Sequence, residues 1–174
     1  DLAHTTALMG QQAMDGVGPF EGVDASVTPM QVNSYYWIRV GLVAPTSSEL
    51  EKYTDLAGKP FNPANSGAAF YTPFKMALEK DLSDDQINPR NTDISQLSQH
   101  LASGKVEAAG GPLLINGIVA GYMQQLYSQN DVRLLGWPEE TIPKIKEDPL
   151  IASANVKNDD LGGIAEYPSS TESF

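Results

Sequence analysis

From residue 27 to residue 147, segments rich in β-branched and aromatic residues alternate with segments of helical apolar spacing, and no other feature restricts the fold as much. A strand that returns to its own sheet through a helix arrives parallel to its starting point. The alternation therefore predicts an α/β sheet with parallel neighbours. Residues 27–43 hold Val32, Tyr35, Tyr36, Trp37, Ile38, Val40 and Val43, which predicts a long strand buried on both faces in its second half. A turn is expected over 44–48, with Thr46 or Ser47 capping a short helix. A short strand near Phe61 and a turn at Asn65-Ser66-Gly67 lead to a helix over 68–80, where Phe70, Phe74, Ala77 and Leu78 form one apolar stripe. Either that helix kinks at Pro73, or it begins at Thr72 with Pro73 as its first residue. Residues 83–86 read as a turn and 87–92 as a weak strand. A helix over 93–103 carries Ile94, Leu97, His100 and Leu101 on one face and stops at Gly104. Residues 105–109 predict a strand. Gly110-Gly111-Pro112 then opens a long helix over 113–127, followed by a strand over 132–135 and a helix over 139–147 broken by Pro143. Upstream, residues 7–14 predict a helix ended by the glycine-rich run over 15–22. Beyond Asp148 the polar composition predicts mostly loop.

The chain has 174 residues, 22 Asp and Glu against 11 Lys and Arg, and a net charge of −11. That acidity repels nucleic acid and anionic membranes, so neither is an expected partner. There is no cysteine, which removes disulfides, thiolate metal sites and a Cys nucleophile. No apolar run approaches the roughly 18 residues of a transmembrane helix, so direct membrane insertion is not expected. The chain opens at Asp1-Leu2-Ala3 as the middle of a domain would. It reads as a mature or truncated piece with its signal peptide removed, incomplete at both ends.

No G-x-S-x-G surrounds a serine, and His4 and His100 lack metal-ligand spacing, so neither nucleophilic catalysis nor a metal site is supported. Asp84-Asp85 and Asn158-Asp159-Asp160 read as solvated turns, and the second lacks the alternating acids of a calcium loop. No cofactor is called for. Binding chemistry is better represented. Asn65-Ser66-Gly67 and Gly110-Gly111-Pro112 each precede an expected helix, where unpaired backbone N–H groups can hold a carboxylate or phosphate. A plain cap or tight turn is the alternative at both. Tyr35 and Trp37 share one strand face and either wall a ligand cleft or pack in the core. Arg90, after Asn88-Pro89, and Arg39, close to Trp37, are the cations best placed to clamp an acid.

Several of these runs occur in the same order in one family. Asp1-Leu2-Ala3 and, further on, Gly18-Pro19-Phe20-Glu21-Gly22 resemble the "DLAF" and "GTGPFEG" segments of TAXI-type solute receptors, the extracytoplasmic binding proteins of tripartite ATP-independent periplasmic (TRAP) transporters. Asp55-Leu56-Ala57-Gly58-Lys59 resembles "DLKGK", Asn65-Ser66-Gly67 the "GSGT" loop, and Gly104-Lys105-Val106-Glu107-Ala108 "GKVDA"; Gly111-Pro112 resembles a later Gly/Pro turn. The likeness covers about residues 1–145. It departs at His4-Thr5-Thr6, at Ala68 in place of the loop threonine, and at Val32-Asn33-Ser34. The resemblance implies a type II periplasmic-binding-protein-like fold, two α/β lobes with a ligand cleft between them. Residues 1–40 would end the first lobe and cross over, 41–135 would form the second lobe, and 136–174 would return toward the first and end in a polar tail. It also implies that Thr5 and Thr6 join Tyr35, Trp37, Asn65, Ser66, Gly67, Arg90, Gly111 and Pro112 around the ligand.

The leading expectation is thus a non-enzymatic periplasmic or extracytoplasmic receptor that captures a small organic acid or amino acid and hands it to TRAP membrane subunits. An α/β hydrolase or transferase with a helix-start anion site is the alternative from another class, and a ligand-sensing domain is a third.

Overall fold

The computed structural model describes residues 7–23, 38–67, 70–115, 118–148, 154–155 and 172–173. The chain divides into two compact units, Asp1–Trp37 and Ile38–Phe174. In the first, helix α1 (Ala7–Asp15) ends at Gly16, whose φ of 64° few other residues tolerate, and a single helical turn follows at Gly18–Phe20. This agrees with the expected helix and its glycine stop.

The second unit is an open sheet with helices on both faces, as the strand–helix alternation predicts. Its strands are β1 (Ile38–Pro45), β2 (Pro60–Asn62), β3 (Asn88–Pro89), β4 (Ala108–Ile115), β5 (Ile118–Val119) and β6 (Val132–Leu134). They lie in the order β3-β2-β4-β1-β6, with β5 folded back on β4. The expected parallel neighbours are found only around β2, which is parallel to β3 and β4; the other pairings, β1 with β4 and β6 and β5 with β4, are antiparallel, so the sheet is mixed. Three helices connect them, α2 (Tyr71–Leu78), α3 (Leu97–Ala102) and α4 (Gly121–Gln129), and α5 (Thr141–Lys146) follows β6. A separate two-stranded piece pairs Ala154–Asn155 with Glu172–Ser173.

The period-two pattern of β1 sorts the core. Val40, Leu42 and Ala44 face α2 and α5 and pack with Phe74, Ala77, Leu78 and Ile145; Val43 faces α3 and α4 with Leu97, Leu101, Met123 and Leu126. The stripe expected on the helix after residue 68 is therefore real: Phe74, Ala77 and Leu78 are buried and Phe70 packs against them. Tyr53 anchors the first core. Its ring lies 4.3 Å from that of Trp137 and 5.4 Å from that of Phe74. Its hydroxyl accepts the Leu42 N–H at 3.1 Å, and burial raises its pKa far above the ordinary phenol value.

Three expectations are corrected. No helix begins at 46–49; the Ser48 N–H closes a turn on the Pro45 carbonyl at 2.9 Å. Leu50 and Tyr53 are buried instead, Lys52 bridges to Gly136 just past the end of β6, and the helical turn forms at Tyr53–Leu56. Helix α2 starts at Tyr71 with Pro73 in its first turn, where no intrahelical donor is missed. The largest correction concerns residues 105–127. Gly110-Gly111-Pro112 does not open a helix but lies within β4, opposite Leu42, Gly41 and Val40. The uninterrupted burial of 108–114 holds this segment in the sheet, and the ladder shifts register between Arg39 and Val40 beside the proline. The expected strand at 105–109 and helix at 113–127 thus become one eight-residue strand, a short return strand and a helix that starts at Gly121.

The end of α2 is tied to α5. Asp81 accepts from Lys144 Nζ at 2.5 Å and from the Thr141 hydroxyl, and Lys80 pairs with Asp148 at 2.9 Å. Burial pushes the Asp81 pKa up, but the Lys144 and Thr141 hydrogen bonds outweigh it and hold the carboxyl below its ordinary value.

Two predictions follow from this packing. A Cβ at Gly110 would stand 2.1 Å from the Gly41 carbonyl oxygen, with no flexible side chain to give way. Gly110→Ala should cost about 3 kcal/mol or more in urea denaturation, whereas Gly58→Ala, strained at φ 72° but in open space, should cost about 1 kcal/mol. Equal, small losses would refute the close approach. The second prediction concerns acid. A carboxyl whose folded pKa is depressed contributes stability above its unfolded pKa, and that contribution is lost as the pH falls through the folded value. Wild type should therefore lose its advantage over Asp81→Asn as the pH drops below about 4, as read from unfolding free energies at stepped pH. A gap that stays constant into acid would count against the tie.

Candidate functional site

The chain leaves β2 through α2 to reach the edge strand β3, then returns through α3 on the opposite face to lay β4 on the other side of β2. The connections therefore diverge at the carboxyl end of β2, the topological switch point at which open α/β sheets form their ligand crevices. β2 pairs with β4 only at Phe61 and Asn62, so β4 runs on past the end of β2 and walls the opening.

Two loops meet there, 63–67 after β2 and 90–93 after β3. Asn62, fully buried, accepts the Ala64 N–H at 2.9 Å with Oδ1 and donates through Nδ2 to the Thr92 hydroxyl. Asn91 Oδ1 accepts the Ser66 N–H and Asn65 Oδ1 the Gly67 N–H, each at 2.9 Å. The Arg90 N–H is bound by the Phe61 carbonyl at 2.7 Å. Ala64 sits at φ 65°, an unfavourable conformation for a residue with a side chain, and its methyl faces Gly111. Tyr122, on α4, donates its hydroxyl to the Pro112 carbonyl at 2.8 Å, and burial raises its pKa so that the proton stays on.

Ala64, Asn65, Asn91, Thr92, Asp93 and Ile94 line an open depression between these loops. Its donors are neutral. A backbone N–H can only be accepted by oxygen, so both carboxamides are oriented with their nitrogens turned away from the loop amides, and among the described residues neither nitrogen has a partner. Thr92 accepts from Asn62 and keeps its own proton to donate. The one ionised group in the lining is Asp93. The Ser95 backbone N–H, 2.8 Å from its carboxylate, and the Ser95 hydroxyl hold its pKa below the usual range. Arg90 is exposed one residue before Asn91.

The structure thus brings together Asn65, Ser66, Gly67, Arg90, Gly111 and Pro112 around the end of β2. Thr5, Thr6, Tyr35, Trp37 and Ala68 lie outside the described residues. The chemistry expected of the two glycine loops changes, however. Gly111 and Pro112 are buried in a strand and offer no helix start, and the Ser66 and Gly67 N–H groups are already taken by asparagine oxygens. Asn62, Asn91, Thr92, Asp93 and Tyr122 were not singled out from the sequence. The density of asparagine at 62, 65, 88 and 91, following two short strands, was the available signal. Among the described residues no three His, Asp or Glu side chains are grouped to hold a metal, and no helix is long and apolar enough to cross a membrane.

Fold and crevice define an open-sheet α/β unit with its ligand-type opening at the switch point. Residues 1–166 match the NMT1-like family, and the chain belongs to that family. A comparison with curated proteins finds no match. Among solved structures the chain is similar to the aliphatic sulphonate binding protein SsuA of Escherichia coli, at 18% identity and a TM-score of 0.44 over 56% of this chain and 31% of that one. It is also similar to the alkanesulfonate-binding SsuA of Xanthomonas axonopodis pv. citri bound to MOPS, at 23% identity and 0.45 over 60% and 35%. A third similarity is to a TRAP periplasmic solute binding protein of Rhodoferax ferrireducens with bound malonate, at 13% identity and 0.35 over 57% and 26%. The matched part is thus about a third or less of each of these chains.

The contact between Ala64 and Gly111 yields a test. Gly111 has φ 140°, and a Cβ there would lie 3.0 Å from the Ala64 methyl and 3.2 Å from both the Pro63 carbonyl and the Tyr122 hydroxyl. Gly111→Ala should cost about 2 kcal/mol and shift the amide resonances of residues 63–67 while leaving β6 in place. An unchanged loop spectrum would show that Gly111 does not shape this wall.

Proposed function

We propose that the chain is part of an extracytoplasmic solute-binding receptor of the TAXI type, which takes up a small organic acid or amino acid and passes it to the membrane subunits of a TRAP transporter without chemical change. The observation that carries this reading is the depression at the switch point, with unpartnered neutral donors on two loops among the described residues and the exposed Arg90 next in sequence to Asn91. The family membership and the ordered sequence motifs support it. On this reading residues 1–40 end one lobe, 41–135 form the second and 136–174 return to the first. Thr5, Thr6, Tyr35 and Trp37 approach the solute from the first lobe. Asn65, Ser66, Gly67 and Arg90 approach it from the second, with Gly111 and Pro112 as the packed wall behind them. A solute touching both lobes stabilises the closed arrangement over the open one.

The test is a thermal-shift screen of the protein against dicarboxylic acids, sulfonates and amino acids, with each hit incubated and assayed for product. A receptor gains about 2.7 kcal/mol of stability at a hundredfold excess over Kd and returns the compound unaltered. Turnover of a hit would favour the hydrolase or transferase reading, and a screen with no hits would remove the acid and amino-acid classes. For an acidic hit, Arg90→Ala should weaken binding by more than tenfold, about 1.4 kcal/mol. A smaller effect would leave the acid to the neutral donors alone.

A further inference from the structure

We propose that Asn62 is a positioning residue: its buried carboxamide clamps the loop after β2 to the loop after β3, so that the two walls of the depression hold one fixed spacing. Asn62 is fully buried at the end of a strand whose preceding residue, Phe61, is core. Packing alone would be met there by an apolar side chain, because a buried amide is costly unless both of its ends are bonded. Both ends are bonded, and to different loops. Oδ1 holds the Ala64 N–H at 2.9 Å and Nδ2 holds the Thr92 hydroxyl oxygen. Moving either loop away strands a buried polar group, so the loops are coupled through a single side chain. The Ser66 N–H to Asn91 bond, 2.9 Å, is a second tie in the same direction at the exposed rim. The clamp also explains how Ala64 is kept at φ 65°: the conformation that presents its N–H to Asn62 turns its methyl against Gly111, the position where a further carbon is not accommodated.

This role rests on reading the depression as the solute site, but the clamp itself is tested without a solute. Thr92→Val removes the hydroxyl that receives Nδ2 while keeping the side-chain shape, and Thr92→Ser keeps the hydroxyl. Residue-resolved amide hydrogen exchange on the free protein should show Ala64 and Ser66 exchanging about tenfold faster in Thr92→Val, with Leu42 and Leu135 in the sheet as in wild type and Thr92→Ser close to wild type. Unchanged exchange at Ala64 and Ser66 would overturn the clamp. So would an equal acceleration at Leu42 and Leu135, which marks a general loss of stability, or a Thr92→Ser variant that exchanges like Thr92→Val. If the screen of acids, sulfonates and amino acids finds no binder, the receptor reading falls while the exchange result still decides the clamp.

Discussion

The second unit depends on how closely β1 and β4 approach each other. Gly41 lies opposite Gly111 and Leu42 opposite Gly110; a side chain at Gly110 would collide with the facing strand, one at Gly41 with Leu113, and one at Gly111 would press on Ala64 and Pro63 of the loop after β2. Glycine is costly in a strand because it loses the most backbone freedom. Here its absence of a side chain is used three times. It lets the backbones meet, it leaves the space through which the Tyr53 hydroxyl reaches the Leu42 N–H, and it admits Ala64 against Gly111. β1 also runs antiparallel to both of its sheet neighbours, β4 and β6. The antiparallel pairing fixes β4, β4 fixes β2, and the end of β2 fixes both loops of the candidate site.

Those loops are held by asparagine. A carboxamide offers both a donor and an acceptor and can replace backbone bonding where the chain has left the sheet. Asn62, Asn65 and Asn91 each spend an oxygen on a loop N–H, and only Asn62 is fully buried. The difference in burial separates their roles. The buried one is satisfied at both ends and sets geometry, while the two rim residues keep their nitrogens for whatever enters the depression.

Much of this was readable in the sequence because hydrophobic period and burial agree. The stripe of Phe74, Ala77 and Leu78 and the doubly buried half of β1 needed no tertiary information. The reading failed at 105–127 for a definable reason. Gly-Gly-Pro before an apolar run is what a helix start looks like locally, and the partner that turns it into a strand, Gly41, is some 70 residues away, a spacing that no local pattern contains. The site was half readable by the same logic. Asn65-Ser66-Gly67 and Arg90 follow strand signals, and the structure places them on the loops after β2 and β3. Thr92 lies on the loop after β3 and Asn62 at the end of β2, and they make sense only as a pair, which requires β3 to lie beside β2.

The charge distribution adds a constraint on any acidic solute. With a net charge of −11 the chain repels anions at long range, and at physiological ionic strength this repulsion is screened beyond about 8 Å. Within that distance the depression offers the two carboxamide nitrogens and the Thr92 hydroxyl, with the exposed Arg90 next in sequence to Asn91, against a single carboxylate in its lining, Asp93, already engaged with Ser95. Neutral donors are individually weaker than charged ones, but they cost less to strip of water when a solute enters. A site of this composition holds an acid through the number and alignment of its hydrogen bonds rather than through net attraction. On the proposed receptor reading, the spacing of the two loops then matters more than any one donor, which is why the buried amide that sets that spacing is the residue to test.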